Sequence, residues 1–422
     1  MSTLRRRRPL AIAARPDVNI WTTPLVKASI IAMAFFANSN FSDALVPGAE
    51  QSNVQQFIVI ATWLAIIFAS YFRRQIFSID TTLGVQVMIA FYALAAASIA
   101  WSADPAAGVS KAFALLVTTF GAYRLAMTIT LDEIIDCANH GLFMLCALSI
   151  ALALLVPSIG IVSDWQHAGQ WKGMFTTKQS LGLVGAMALF LACYRLMSSS
   201  RRLYNGLAVV AAIVCVLGSG SRGGGAIAAC AVLGVYAIRR WPRSAAALAF
   251  IPLVMCIIGV ILIAYMVATG NRNIEVFDAE INFTERTYIW QHALSYFPSH
   301  PWLGYGLNGF WTLKEVKDVF IERNRWFLDN YHDGYIGIVM ETGVIGLGLF
   351  VAAYYLYGRR LRRMVQRGGA LPPFIAITLV YSCLVFVIDI TETYFLRSTN
   401  MVATLLLMSF FLAHARPHVR HR

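Results

Sequence analysis

The stretch GYIGIVMETGVIGLGLFVAAYYLYGRRLRR, residues 334–363, decides the fold class of this chain. Its apolar run is long enough for the roughly 20 helical residues that cross a bilayer core of about 30 Å, and it ends in a group of arginines. Cytoplasmic segments of membrane proteins carry an excess of lysine and arginine. The stretch therefore predicts a membrane-spanning helix whose C-terminal end is cytoplasmic.

The composition extends this interpretation to all 422 residues. Hydrophobic residues make up 58% of the chain and charged residues 13%, against about 45–50% and about 25% in soluble globular proteins. The mean hydropathy is +0.64. These values exclude a soluble multidomain enzyme, a disordered chain and a disulfide-rich scaffold. They predict a polytopic membrane protein.

Eleven further apolar stretches could each cross a bilayer. They begin near Pro24, Gln55, Thr82, Lys111, Cys137, Ser180, Leu203, Gly223, Ser244, Leu371 and Ser398. With the stretch that begins near Gly334, they predict an all-α polytopic membrane protein of about twelve transmembrane helices. The long polar interval 270–333 predicts one long outer loop that contains amphipathic helices.

The distribution of basic residues predicts the orientation. If the N-terminus is cytoplasmic, 21 of the 34 lysines and arginines fall on inner segments or tails, which is the bias that membrane insertion favours. Both termini are then cytoplasmic and the long loop is periplasmic. The net charge of +13 is thereby explained as a topology signal, and no nucleic-acid partner is expected.

The sequence gives little support for a metal site or a nucleotide-binding site. The run Gly218–Gly223 matches G-x-G-x-x-G, but it lies between two apolar helices instead of following a strand. Asp278 and Glu280 form a D-x-E pair that is interpreted as a solvated loop turn. The seven cysteines contain no C-x-x-C pair and are interpreted as packing residues. We expect neither a metal nor a cofactor.

Basic residues recur at the helix starts that face outward in this topology. They are Lys111, Lys178, Arg222, His332 and Arg397. A helix N-terminus carries about half a positive charge, which disfavours a nearby cation. Several such placements together indicate an anion bound jointly by helix ends and cationic side chains. For Lys111 and Arg397, a charge that reaches interfacial water is the favoured explanation.

Arg222 lies in SGSRGGG, residues 219–225, between two short apolar stretches. A guanidinium buried there would be costly unless paired, so an intramembrane arginine predicts function. Gly220 and the glycines after Arg222 allow a tight turn whose N–H groups could hold phosphate oxygens. We expect Ser221 in the same turn to contact substrate.

Two more candidates flank the long loop. Apolar residues at three- to four-residue spacing predict an amphipathic helix over Thr284–Phe297 with Arg286 off its apolar face. His332 and Tyr335 lie where the tenth predicted span begins. Glu341 lies about 14 Å further along this helix.

Five motifs in this order resemble the O-antigen ligase family, which also includes exopolysaccharide polymerases. They are G-x-F-x-x-K-x-x-L-G at Gly173–Gly182, the S-x-S-R-G turn, Arg286 before Ile289-Trp290, P-x-x-G-x-G at Pro301–Gly306, and His332 at a late span. The resemblance covers residues 165–348. The family usually has asparagine after the motif lysine and after the motif histidine, whereas this chain has Gln179 and Asp333.

The resemblance implies glycosyl transfer on the periplasmic face of the bacterial inner membrane, from a saccharide on undecaprenyl diphosphate. Arg222 and Arg286 match the arginines that stabilise the pyrophosphate, and His332 matches the general base. Further substrate contacts are expected from Lys178, Lys172, His167, Ser221, Tyr335 and Glu341. The implied reaction needs neither metal nor cofactor.

Two forms of this function, ligation and polymerisation, differ in their acceptor. It is lipid A–core in a ligase and another lipid-linked saccharide in a polymerase, and the hydropathy and the motif around Lys178 favour the exopolysaccharide polymerase. Membrane lipids are implied partners, with a flippase and a chain-length regulator as further candidates. The alternatives are a transporter or flippase, in which Glu341 and Asp389 would relay protons, and a non-catalytic scaffold.

The predicted domains follow from the spans and the resemblance. Residues 1–23 form a basic cytoplasmic tail and residues 24–158 the N-terminal transmembrane helices. Residues 159–414 form the ligase-like membrane domain with the periplasmic loop 270–333, and residues 415–422 form a second basic tail.

Overall fold

The computed structural model describes most of the chain. The described residues are 22–37, 53–73, 75–79, 81–163, 167–241, 245–269, 274–276, 279–281, 286–324, 330–367, 373–397 and 400–417. Residues 1–21 and 418–422, which make up most of the two predicted tails, lie outside these ranges. The predicted domain boundaries stay a prediction.

A helix begins at or near each of the twelve predicted positions. In chain order the helices and strands are α1 (Thr22–Phe36), α2 (Asn53–Tyr71), β1 (Phe77–Ile79), α3 (Leu83–Ala97), α4 (Pro105–Thr128), α5 (Leu131–Leu155), α6 (Pro157–Gly160), α7 (Lys178–Ser198), α8 (Arg202–Ser219), α9 (Arg222–Arg240), α10 (Ala245–Leu248), α11 (Ile251–Thr269), β2 (Ile274–Val276), β3 (Ala279–Ile281), α12 (Arg286–Tyr296), α13 (Lys314–Asn324), α14 (Gly334–Arg367), α15 (Pro373–Ile388), α16 (Met401–Ala413) and β4 (Ala415–Pro417).

Five helical segments in the described residues are long and apolar enough to cross a membrane. They are Leu83–Trp101, Leu131–Leu155, Lys178–Ser198, Arg202–Ser219 and Gly334–Gln366. Shorter apolar helices accompany them, among them α1, α11, α15 and α16. The prediction of an all-α membrane protein is confirmed at this level. Two small antiparallel pairs, β1 with β4 and β2 with β3, are the strands in the described residues.

Helix starts differ from the predicted ones where the first turn is polar. The fifth predicted span begins near Cys137, but α5 begins at Leu131 because Thr130 caps it. The Thr130 hydroxyl accepts from the Glu133 N–H, and the Glu133 carboxylate accepts from the Thr130 N–H. This reciprocal capping box stabilises a helix start, and an apolar count does not detect it.

Charged and polar contacts close one end of the bundle. Arg195, near the end of α7, contacts Asp132 at 3.2 Å and Asp136 at 2.8 Å near the start of α5. At this end of the bundle, the guanidinium of Arg124, near the end of α4, donates to the carbonyl of Ser70, near the end of α2. These contacts fix the start of α5 to the end of α7, and the end of α4 to the end of α2.

The opposite end holds the starts of α7 and α9, which lie side by side. A Cβ added at Gly224 in α9 would lie 2.6 Å from the carbonyl carbon of Gly182 in α7, so only glycine allows this approach. The turn before α9 contains Gly220 with φ +56°, the left-handed region that glycine adopts without strain. Two of the family motifs therefore pack directly against each other.

The end of α15 and the start of α16 lie toward the same end as the starts of α7 and α9. Val380 in α15 contacts Gly234, twelve residues or about 18 Å below the start of α9 by helical rise. Met401, at the start of α16, lines a small cavity with Val184 from the first half of α7. The segment 389–397 between α15 and α16 is thus directed toward the start of α9.

Helix α14 is broken at Gly343, where φ is +66° and ψ is −170°. The segment 301–306 docks on this break. The N–H of Tyr305 donates to the Met340 carbonyl at 2.8 Å and the N–H of Val344 donates to the Pro301 carbonyl at 2.9 Å. The P-x-x-G-x-G motif therefore satisfies backbone groups that the break leaves open, as a membrane helix requires.

The long polar interval contains the helices α12 and α13 and the β2–β3 pair. Helix α12 buries Thr287, Trp290 and Leu294, three residues of its predicted apolar face. Helix α13 adds Phe320 to the same buried aromatic cluster. Residues 282–285, and with them the predicted helix start at Thr284, lie outside the described residues.

Candidate functional site

Glu392 joins two of the three predicted catalytic residues. One carboxylate oxygen accepts from Nη2 of Arg286 at 2.7 Å, and the other lies 3.8 Å from Nδ1 of His332. The side chains are 24%, 34% and 18% exposed for Arg286, His332 and Glu392. We call these three residues the Glu392 cluster. It combines an arginine, a histidine and a carboxylate at one accessible position.

Three separate elements supply this cluster. Arg286 is the first residue of α12, His332 lies two residues before α14, and Glu392 lies in the segment 389–397. His332 has φ +49°. The left-handed conformation costs a residue other than glycine about 1–2 kcal/mol, and such strain is concentrated at functional sites. The strained backbone is therefore a further reason to treat His332 as a functional candidate.

Buried hydrogen bonds hold the segment 389–397 on the start of α14. The Asp389 carboxylate accepts from the N–H groups of Tyr394 at 2.8 Å and Phe395 at 3.1 Å. The Asp389 carbonyl accepts from the Gly334 N–H at 2.7 Å. Burial raises the pKa of Asp389 well above its usual range, and the nearby Asp333 carboxylate acts in the same direction.

Asp333, which replaces the usual asparagine of the family, caps α14. Its carboxylate accepts from the Ile336 N–H at 2.7 Å, and its own N–H donates to the Thr393 hydroxyl at 3.2 Å. Burial raises the pKa of Asp333 to about 7, an effect partly offset by hydrogen bonds from the N–H groups of Ile336 and Tyr335 and by the charge of Arg286. Asparagine could make the same cap without a charge.

A second basic group lies at the start of α7. The Lys178 ammonium lies 3.1 Å from Nδ1 of His167. Lys172 lies in the segment that precedes α7, where its N–H donates to the Gly160 carbonyl at 2.8 Å and the Trp171 N–H donates to the Gly218 carbonyl at 2.9 Å. The predicted contacts His167, Lys172 and Lys178 thus lie on a segment bound to the end of α8.

Ser221 and Arg222 lie at the start of α9, and the position of Arg222 differs from the expectation. The Ser221 hydroxyl accepts from the Gly224 N–H at 3.1 Å and caps the helix. Arg222 was expected to be buried, but its side chain is exposed on the protein surface. It forms no ion pair within the described part of the chain. The close helix contact at this turn is made by Gly224 instead.

The predicted residues therefore form two groups at one end of the bundle. Lys178, Ser221 and Arg222 lie at the starts of α7 and α9, and the Glu392 cluster lies at the start of α14. Among the described residues, no hydrogen bond or ion pair joins Arg222 to Arg286 or His332. The packing of α15 on α9 orients both groups toward the same side.

Two of the expected substrate contacts are placed differently from the others. Tyr335 is fully buried, and its hydroxyl donates to the Phe386 carbonyl at 2.8 Å. It packs inside the protein instead of facing an open site, because the first turn of α14 turns this side chain toward α15. Glu341 lies away from His332, near the break in α14, where it accepts from the Asn308 N–H.

Glu392 is the functional candidate that the sequence did not indicate. It lies in ITETYF, a short polar connection between two apolar helices, and belongs to none of the motifs. Groups of histidine, cysteine, aspartate and glutamate suited to a metal are absent from the described residues. Asp278, one half of the D-x-E pair, lies outside them.

Comparison with known proteins agrees with the motifs. The O-antigen ligase family model matches residues 207–351, a range that contains Arg222, Arg286 and His332. No curated protein matches the chain. The motif-based resemblance is confirmed over the matched range, so residues 207–351 carry a domain of the O-antigen ligase family.

Proposed function

We propose that this protein polymerises a surface polysaccharide by glycosyl transfer from an undecaprenyl-diphosphate-linked saccharide, on the periplasmic face of the bacterial inner membrane. The family domain supports surface-polysaccharide glycosyl transfer in general. The observation that carries the finer proposal is Glu392, which brings Arg286 and His332 together. A base beside a cation is the arrangement that displacement of a diphosphate requires.

The arginines act on the leaving group. A diphosphate gains negative charge as its bond to the sugar breaks, and a guanidinium can hold two phosphate oxygens at once. Arg286 is fixed by Glu392 on one side of the site. Arg222 is exposed at the start of α9, where the helix dipole adds to its positive charge. Lys178 offers a further positive charge at the parallel start of α7.

His332 acts as the base. Glu392 faces Nδ1 of the ring, which favours the tautomer with the proton on Nδ1 and leaves the lone pair of Nε2 for substrate. The acceptor hydroxyl oxygen bonds to the anomeric carbon as the bond from that carbon to the diphosphate oxygen breaks. The hydroxyl proton goes to Nε2, and the electron pair leaves with the diphosphate. The transfer is inverting and metal-independent.

The exopolysaccharide polymerase remains the favoured form, with the O-antigen ligase as its close alternative. A transporter or flippase is the competing class, for which the sequence offered Glu341 and Asp389 as proton carriers. Asp389 uses its Oδ1 to hold the segment 389–397, which fits a structural role better than a relay. The proposed partners are the lipid-linked donor, the saccharide acceptor and the surrounding lipids, with a flippase and a chain-length regulator in the cell.

The decisive experiment supplies purified protein in nanodiscs with a synthetic undecaprenyl-diphosphate oligosaccharide as donor and acceptor. We expect saccharide products longer than one repeat and release of undecaprenyl diphosphate. His332→Ala should abolish transfer while the donor still binds. Arg222→Lys, which keeps the charge but loses the paired N–H groups, should strongly reduce the rate of transfer. Absence of transfer by the wild type, or full activity of His332→Ala, would refute the proposal.

A further inference from the structure

A second polar group lies beneath the segment 301–309, apart from the Glu392 cluster. It consists of Lys111, Tyr331, Glu341 and Arg397, and we call it the Glu341 cluster. Lys111 donates to the side-chain oxygen of Asn308, and the Asn308 N–H donates to the Glu341 carboxylate. Lys111 and Arg397 both act electrostatically on Glu341. Two cations therefore lie within electrostatic range of one carboxylate.

Tyr331 contributes a buried hydroxyl that has no partner. Its side chain is 1% exposed, and its oxygen forms no hydrogen bond with any residue that the structure describes. Glu341 and Arg397 lie within electrostatic range of this oxygen. An unsatisfied buried hydroxyl costs about 1–3 kcal/mol, so its retention beside charged groups indicates a ligand that supplies the missing hydrogen bond.

The remaining members of the cluster are reachable from outside. Lys111, Glu341 and Arg397 are each partly exposed. Glu341 lies two residues before the break in α14, and discontinuous membrane helices are sites where such proteins bind polar ligands. A ligand group could therefore enter and contact the carboxylate, the cations and the Tyr331 hydroxyl together.

The depth of the cluster matches the level of lipid headgroups. Arg359, where the arginines of α14 begin, precedes the inner end of that helix. The part of α14 after the break at Gly343 reaches Arg359 over about 24 Å by helical rise, so Glu341 lies roughly one bilayer-core thickness from the arginines. Trp101 is exposed beside the segment 301–309 and Trp302 is exposed within it. Exposed tryptophans are enriched at the membrane–water interface.

The cluster is separate from the proposed catalytic group although the two share a border. Tyr331 and His332 are neighbours in sequence, but the His332 ring faces Glu392 whereas the Tyr331 hydroxyl lies near Glu341. Arg397 and Glu392 likewise belong to one segment and serve different groups. The start of α14 thus separates two polar sites.

We propose that the Glu341 cluster binds the phosphate of a membrane lipid whose headgroup also carries hydroxyl groups. Lys111 and Arg397 bind the phosphate, and Glu341 and the Tyr331 hydroxyl bind the hydroxyls. Two sources offer this chemistry. One is the lipid-linked saccharide that serves as acceptor, which rests on the proposed function, and the other is a glycerol-headgroup phospholipid.

Native mass spectrometry of the purified full-length protein tests the site. The probes are undecaprenyl-diphosphate disaccharide and phosphatidylglycerol, each titrated separately. The variant Lys111→Gln/Arg397→Gln should lose one bound equivalent, or bind it about tenfold more weakly. The matched control Lys314→Gln/Arg323→Gln removes two exposed cations from α13 and should bind as the wild type does.

The two probes separate the sources. Loss of the disaccharide lipid alone identifies an acceptor site, loss of phosphatidylglycerol alone identifies a phospholipid site, and loss of both supports the shared chemistry. Unchanged binding of both lipids overturns the proposal. Tyr331→Phe, which keeps the ring and removes the hydroxyl, should weaken binding of whichever probe the double variant loses, and unchanged binding of that probe would also overturn the proposal. Neither readout requires glycosyl transfer, so failure of the proposed function remains distinguishable.

Discussion

At the scale of single residues, the central feature is one carboxylate that serves an arginine and a histidine together. Glu392 limits the positions that the Arg286 guanidinium can adopt and places a negative charge 3.8 Å from Nδ1 of His332. Neither effect requires Glu392 to touch the substrate. Glu392 is therefore best described as a positioning residue for the proposed reaction.

We expect Glu392→Gln to reduce turnover by about 100-fold, within the range that general-base catalysis contributes. The amide has a single acceptor oxygen, so it cannot hold both the Arg286 guanidinium and the His332 ring, and both lose their fixed positions. Glu392→Asp, which keeps the carboxylate, should recover part of the turnover. Glu315→Gln, an exposed change on α13, is the control. An equal loss of turnover in Glu392→Gln and Glu392→Asp would contradict the positioning role.

Asp333 makes a prediction about pH. Burial raises its pKa from 3.8 to about 7 in the folded protein, so folding favours the protonated carboxyl. The resulting stability is fully present below about pH 4 and is lost as pH rises through 7. Thermal unfolding in detergent should show a lower midpoint at pH 8 than at pH 5, with a smaller difference in Asp333→Asn. The same difference in both proteins would contradict the assignment.

The sequence was sufficient for some residues and insufficient for others. His332 and Arg222 could be selected because each opens an apolar helix, and Arg286 because it lies off an apolar face. Glu392 could not be selected, since its partners are sixty and more residues away in the chain. Tyr335 illustrates the opposite case, because its proximity to His332 in sequence did not indicate that its side chain packs against α15.

At the scale of elements, the family motifs act in pairs. Gly182 of one motif packs on Gly224 of another, and the P-x-x-G-x-G segment docks on the break at Gly343. Periodicity and hydropathy predicted the helices, but they could not predict these contacts. Glycine is common inside apolar helices, and nothing in α14 alone distinguishes Gly343 from its neighbours.

The contact between α7 and α9 is testable with a matched pair of glycines. A Cβ at Gly224 would lie 2.6 Å from the backbone of Gly182, whereas a Cβ at Gly225 meets nothing within 4 Å. We expect Gly224→Ala to destabilise the protein by about 1–3 kcal/mol through overpacking, and Gly225→Ala to be neutral or slightly stabilising. Thermal unfolding measures both. Equal effects would show that the helices do not approach this closely.

At the scale of the whole molecule, the two ends of the bundle differ in composition. One end contains the arginine and aspartate contacts of α5 and α7 together with the β1–β4 pair. The other end contains the predicted substrate residues. The distribution of lysine and arginine predicts which end is cytoplasmic. This orientation stays a prediction, because the packing of the helices does not distinguish the two sides of a membrane.

Cysteine accessibility measures the orientation. In a background without the seven native cysteines, Glu322→Cys in α13 should react with a membrane-impermeant maleimide in intact cells. Ser200→Cys, exposed between α7 and α8, should react only after the membrane is permeabilised. Labelling with the opposite preference would place the proposed site in the cytoplasm and exclude periplasmic transfer.

The position of a bound diphosphate tests the account most directly. A single-particle structure with a non-hydrolysable undecaprenyl-diphosphate saccharide would locate the group among the helix starts. We predict phosphate oxygens within hydrogen-bond distance of both Arg222 and Arg286, with Nε2 of His332 facing the anomeric carbon. A diphosphate that contacts only one of these arginines, or that lies at the Arg195 end of the bundle, would contradict the proposed glycosyl transfer.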